Sequence, residues 1–231
     1  MRHVFGSTLA AAAVLLLPLT VQGQDASRSV AGGGISVQGW QGKVDAREAS
    51  SGMTVNNAKF AKEGEALHAV TGPSITYWNP ANAATGDYTV KATFKEPKFQ
   101  SLNDHPHPYG IVIAGNGMGT DQQTFLYCAA YGNGTFIVRG FGPAAFRMNG
   151  PRGEANPAVK KVAVGEEVTQ EIAMSVKGDK VECAINGTVV GSYNKSDVLG
   201  EGKLKSTDGV YGLRFGHNTE AVVTGLTMTK N

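Results

Sequence analysis

The chain has 231 residues, 31 of them glycine, with 17% charged side chains and a formal net charge of +2. Its basic residues are scattered from Arg28 to Lys230 without a cluster, which argues against partners held by a basic patch, nucleic acid and anionic membrane surfaces alike. Abundant glycine and little charge suit a turn-rich, exported β protein.

Residues 1–23 read as a signal peptide. Arg2 and His3 precede an apolar stretch, residues 9–19, that is shorter than a membrane span, and Val21-Gln22-Gly23 places short residues before a cleavage site. No later segment reaches the roughly 20 apolar residues of a spanning helix, so the expected address is periplasmic or extracellular, without membrane insertion. Residues 24–34 end in three glycines and read as a flexible lead-in. Residues 35–231 then read as a single β-sandwich domain, because no second linker interrupts them and about 200 residues commonly form one such core.

Within that span the alternation of apolar and polar residues predicts strands at 35–37, 53–56, 66–71, 87–94, 110–114, 123–131, 135–141, 168–177, 180–185, 188–193, 209–215 and 221–229. One short helical turn is expected at 197–199. The pattern is all-β, two stacked antiparallel sheets.

Turn chemistry registers two hairpins more finely. Gly178-Asp179 as a two-residue turn places Val176 opposite Val181, Met174 opposite Cys183 and Ile172 opposite Ile185, an apolar stripe for the core. Asn133-Gly134, read the same way with both residues at positive φ, places Tyr131 opposite Phe136, Ala129 opposite Val138 and Tyr127 opposite Gly140. On that register Tyr127 and Tyr131 enter the core, while Arg139 faces outward beside Cys128 over a shallow floor, since an unpaired arginine is costly to bury. The two cysteines, Cys128 and Cys183, then fall on opposite faces. They are expected to remain unpaired thiols, although compartment and even count favour a bridge.

Few residues announce chemistry. His105-Pro106-His107-Pro108 sits in a loop ahead of a strong strand, but two histidines fall short of the three or four converging ligands of a metal site, so no metal and no cofactor are expected. Glu171 and Glu182 share a solvated hairpin face and do not form the close carboxylate pair of a retaining glycosidase. Neither a Gly-X-Ser-X-Gly elbow nor a phosphate-binding loop opening a helix is present. Candidate ligand-binding residues are therefore Arg139, Arg214 and Arg147, with Trp78 and Tyr109 at strand ends and His105 and His107 in their loop.

Three stretches carry a resemblance: residues 86–94 (GDYTVKATF), 176–187 (VKGDKVECAING) and 209–215 (GVYGLRF). They resemble the concanavalin A-like, or laminin G-like, jelly rolls, nearest the exported bacterial 3-keto-disaccharide hydrolase domains. The resemblance implies carbohydrate contact on one sheet. It supplies no catalytic position, because the Glu-X-Asp-X-X-Glu strand of the laminarinase-type branch has no counterpart here. The expected function is an exported carbohydrate- or glycoconjugate-binding module; the alternatives are a glycoside-cleaving enzyme resembling the 3-keto-disaccharide hydrolases, in which His105 or His107 assists, and a structural or partner-binding envelope protein.

Overall fold

The computed structural model describes Met1, residues 26–103 and residues 105–231. Apart from Met1, the residues of the signal-peptide reading lie outside these. Among the described residues no helix is long and apolar enough to cross a membrane.

The fold is a two-sheet β-sandwich, with strands numbered in chain order. The first sheet contains β1 (Gly34–Ile35), β3 (Ala58–Glu63), β4 (Ala66–Thr71), β16 (Glu220–Lys230), β6 (Tyr88–Glu96), β12 (Val168–Lys177), β13 (Lys180–Ile185) and β14 (Thr188–Asn194), in that spatial order. The second runs β10 (Ala145–Arg147), β9 (Thr135–Phe141), β8 (Thr124–Ala130), β7 (Tyr109–Asn116), β15 (Gly209–Phe215), β5 (Ile75–Ala84) and β2 (Gln41–Val44), with β11 (Glu154–Ala155) also pairing to β9. All pairs are antiparallel except β1 with β3.

The expected strands from 66 onward are present, most within a residue or two of the anticipated ends. Residues 53–56 instead lead into a short 3₁₀ turn, Val55–Asn57, capped by the Thr54 side chain, and the strand follows at β3. β2, β3, β5, β10 and β11 were not anticipated. β5 hides its periodicity behind Asn79-Pro80, which the strand accommodates in a stretch where its ladder to β15 is interrupted between Trp78 and Ala83. Two one-turn helices, α1 (Ala46–Ala49) and α2 (Lys195–Val198), complete the elements, α2 overlapping the expected turn.

Alternate residues of both sheets meet in the core. Phe60 stacks on Tyr77 with ring centroids 4.2 Å apart, and Phe94 on Tyr109 at 5.5 Å. The β12–β13 hairpin has the register its turn dictates, and Ile172, Met174, Val176, Val181, Cys183 and Ile185 are all buried.

The β8–β9 hairpin departs from expectation by one residue. Asn133 does not take positive φ; only Gly134 does, at +88°. The loop is therefore three residues long, with the Tyr131 amide donating to the Thr135 carbonyl, and the Asn133 side-chain oxygen accepts from the Thr135 amide and hydroxyl. This is the geometry in which a glycine in the left-handed region closes a three-residue hairpin. Ala130 then pairs with Phe136, Cys128 with Val138 and Tyr127 with Arg139.

A one-residue slip moves every side chain of β8 to the other face. Cys128 faces the core, whereas Tyr127 and Tyr131 lie on the outer side with Arg139, which corrects the expected burial of the two phenols between the layers. The cysteine expectation fails for the same reason: Cys128 of the second sheet and Cys183 of the first face each other across the core and form a disulfide, with Cα atoms 6.0 Å apart.

That bridge links positions 55 residues apart, so loop-closure entropy gives it a contribution of about 4 kcal/mol. The Cys128→Ala/Cys183→Ala variant is expected to unfold at correspondingly lower urea concentration, and the unfolded, unreduced protein to show no reactive thiol.

One core position carries a carboxyl. Glu96 ends the inward row of β6, is 6% exposed, and burial pushes its pKa up to about 7, only partly offset by a backbone hydrogen bond from Gln100. The folded chain therefore keeps a proton there that the unfolded chain releases near the ordinary value of 4.5. Stability contributed by this group is complete below pH 4.5 and is lost as the pH rises to about 7. Urea titrations at pH 4.5 and 8 are expected to show Glu96→Gln gaining on the parent by a few kcal/mol at the higher pH.

Candidate functional site

The site is assembled by the ladder between β7 and β15. Tyr109, the first residue of β7, pairs with Phe215, the last of β15, so the segment entering β7 lies against the segment leaving β15. The Gly216 amide donates to the Pro108 carbonyl at 2.7 Å. A Cβ on Gly216 would stand 2.7 Å from the Pro108 ring, so the approach requires glycine.

Two short segments thereby meet. On one, Pro106 and Pro108 hold the chain extended, with the histidines two residues apart. On the other, the turn from Gly216 to Thr219 is tied down by Thr71, whose hydroxyl donates to the Gly216 carbonyl at 2.7 Å and accepts from the Thr219 amide at 2.9 Å. The result is a trio of imidazoles. His107 and His217 meet edge to face with centroids 3.8 Å apart, and His105 lies 4.3 Å from His107 and 5.8 Å from His217. One ring nitrogen of each falls within 4.8 Å of those of the other two. His107 and His217 are buried and His105 half-buried.

All three rings line a cleft of about 320 Å³ on the outer side of the second sheet, with Tyr127, Tyr131 and Arg214 among its other walls. A second cleft of about 330 Å³, walled by Arg47, Glu48 and Met53, reaches the same His217. Burial raises the pKa of the Tyr127 phenol and pushes that of Tyr131 up to about 12, so both remain neutral hydroxyls at physiological pH.

Arg214 is the fixed cation of this cleft. Its guanidinium grips both carboxylate oxygens of Asp45, through Nη1 to Oδ1 at 2.6 Å and through Nη2 to Oδ2, and donates to the Thr76 hydroxyl at 3.1 Å. It also lies 5.6 Å from the Tyr127 ring centroid and 5.4 Å from that of Phe141. Asp45 stands at the N-terminal cap of α1 but makes no side-chain cap bond; the arginine has claimed it.

Among the proposed ligand residues, the structure brings together His105, His107 and Arg214. Arg139 faces outward as expected, but its guanidinium is committed to the segment at 149–150, donating to the Asn149 carbonyl, the Asn149 side-chain oxygen and the Gly150 carbonyl at 3.1, 2.5 and 2.6 Å. Arg147 pairs beside it and is exposed. Trp78 is buried and edges a separate cleft of about 370 Å³ with Pro80 and Met118. Tyr109 corrects the strand-end expectation: it is sealed between the sheets, where its hydroxyl accepts from Gln170 at 3.4 Å.

Sequence reasoning missed His217, Asp45 and the outward Tyr127 and Tyr131. The tyrosines were reachable through the correct loop length. His217 was not, because its partners lie 110 residues away and only the β7–β15 register joins them.

No family model and no curated protein matches the chain in sequence. Solved structures do match in shape. The carbohydrate binding module CBM66 from Bacillus subtilis superposes with a TM-score of 0.55 at 11% identity, over 83% of this chain and 96% of that one. The fold is a two-sheet jelly roll. The endo-β-1,3-glucanase from Pyrococcus furiosus, at a TM-score of 0.50 and 14% identity over 84% and 88% of the two chains, shares the same jelly-roll architecture.

Asp45→Ala would leave the Arg214 guanidinium, whose side chain is 7% exposed, without its counterion. The expected loss is about 3 kcal/mol, measured by denaturant unfolding, with Asp45→Ala/Arg214→Met recovering much of it because the stranded charge is gone.

Proposed function

We propose that the protein is an exported jelly-roll module that binds a carbohydrate or glycoconjugate in the outer-face cleft at the end of β7 and β15. The observation that carries this reading is the cleft itself: the phenols of Tyr127 and Tyr131 and the imidazole of His105 border about 320 Å³, with Arg214 held by Asp45 beside them. A sugar presents C–H faces that pack on aromatic rings and hydroxyls that both donate and accept. The phenol hydroxyls and imidazole rings meet both needs. The volume lies at the small end of ligand pockets and suits one or two sugar units.

The inter-sheet disulfide supports an oxidising address. The shape shared with a carbohydrate binding module is consistent with the same chemistry. Relative to the expectation that Arg139 grips the ligand, the reading moves the contact to Tyr131 and His105, because the hydrogen bonds of Arg139 to the 149–150 segment make it a clamp on the cleft's neighbour.

A glycan array probed with the purified protein tests this. Binding to at least one glycan is expected, falling about tenfold or more in Tyr131→Ala, a half-buried position, in a variant whose thermal melt matches the parent's. Silence across the array, or equal binding by parent and variant, would overturn it.

A further inference from the structure

The three imidazoles ask for an explanation that sugar binding alone does not give. We propose that His105, His107 and His217 together hold one divalent transition-metal ion of borderline softness, Zn²⁺ by preference, with its remaining coordination positions open to the outer cleft.

The geometry is close to what such an ion needs. A tetrahedral ion with metal–nitrogen bonds of about 2.0–2.1 Å sets its nitrogens about 3.3 Å apart. Here the three candidate ring nitrogens already lie within 4.8 Å of one another, and rotation of the half-buried His105 on its loop closes the remainder. Backbone placement is fixed beforehand by the Gly216–Pro108 hydrogen bond and by Thr71, so little ordering remains for the ion to impose.

Donor type selects the ion. Among the described residues the set is three imidazoles, and imidazole donors favour Zn²⁺, Co²⁺, Ni²⁺ or Cu²⁺ over Ca²⁺ and Mg²⁺, which demand oxygen. The local charge permits a cation, since Arg214, the one arginine among the described residues that line the cleft, is neutralised by both oxygens of Asp45. All three rings line the cleft, which provides the entry path and leaves a face on which water or a ligand hydroxyl completes the coordination.

The test is titration of ZnCl₂ into metal-stripped, untagged protein by calorimetry, with Co²⁺ and its visible absorption as the second readout. No sugar is present, so the result is independent of the glycan reading. The expected result is one site per chain, a melting temperature that rises with added zinc, and affinity weakened at least about tenfold in His105→Ala and abolished in His217→Ala. His105 is on a loop and only half-buried, so its variant remains informative if the buried His217 variant does not fold.

His68 provides the control, because Glu63 and Glu220 flank it at 2.8 and 3.1 Å and make it the competing nitrogen–oxygen site. Binding unchanged in His68→Ala supports the proposal. No heat and no Co²⁺ absorption, full binding retained in His105→Ala, or loss of binding in His68→Ala alone would overturn it.

Discussion

The cleft and the core both depend on the pairing of β8 with β9, which a loop of three residues holds in place. Gly134 supplies the left-handed turn residue and Asn133 ties its side-chain oxygen to Thr135. From that point outward, parity decides everything along β8. Leu126, Cys128 and Ala130 join the main core, while Phe125, Tyr127 and Ala129 form a second apolar cluster with Val112 and Ile137 on the opposite side of the sheet. Shifted by one residue, the strand would strand Cys128 away from Cys183 and leave Arg214 without the Tyr127 ring beneath it.

That outer cluster is what allows a charged group to sit on the sheet yet out of water. Arg214 is 5% exposed on an outward-pointing position. It is tolerated there because Asp45, Thr76 and two aromatic rings together replace the hydration it gives up. The ion pair in turn fastens β15 to the start of α1, at the border where the two clefts meet. Stability and site architecture are thus one network at this end of the sandwich.

The fold was legible wherever a local rule governs it. Gly178-Asp179 specifies the β12–β13 register because a two-residue turn admits one pairing, and Asn186-Gly187, at φ of +50° and +80°, obeys the same rule. Asn133-Gly134 looks identical in sequence but closes a longer loop, since contacts from the 156–162 segment hold Gly132 and Gly134 through their carbonyls. Dipeptide chemistry cannot register that tertiary influence. The candidate site was legible in halves: His105 and His107 stand out as a local run and Arg214 by its alternation, whereas His217 and Asp45 reach the cleft through ladders and turns whose pairings span more than a hundred residues. β5 went unseen because Asn79-Pro80 imitates the end of a strand in the middle of one.

The bridge between Cys128 and Cys183 encloses β9, β10, β11 and β12 in a covalent ring. Within it lies the stretch from 142 to 167, which carries only the two shortest strands of the second sheet and several turns. A protease cutting anywhere in that stretch would open the ring without releasing a fragment, because each new end stays anchored to a different sheet through the sulfur atoms. After such a cut, a nicked chain of this design keeps both layers together.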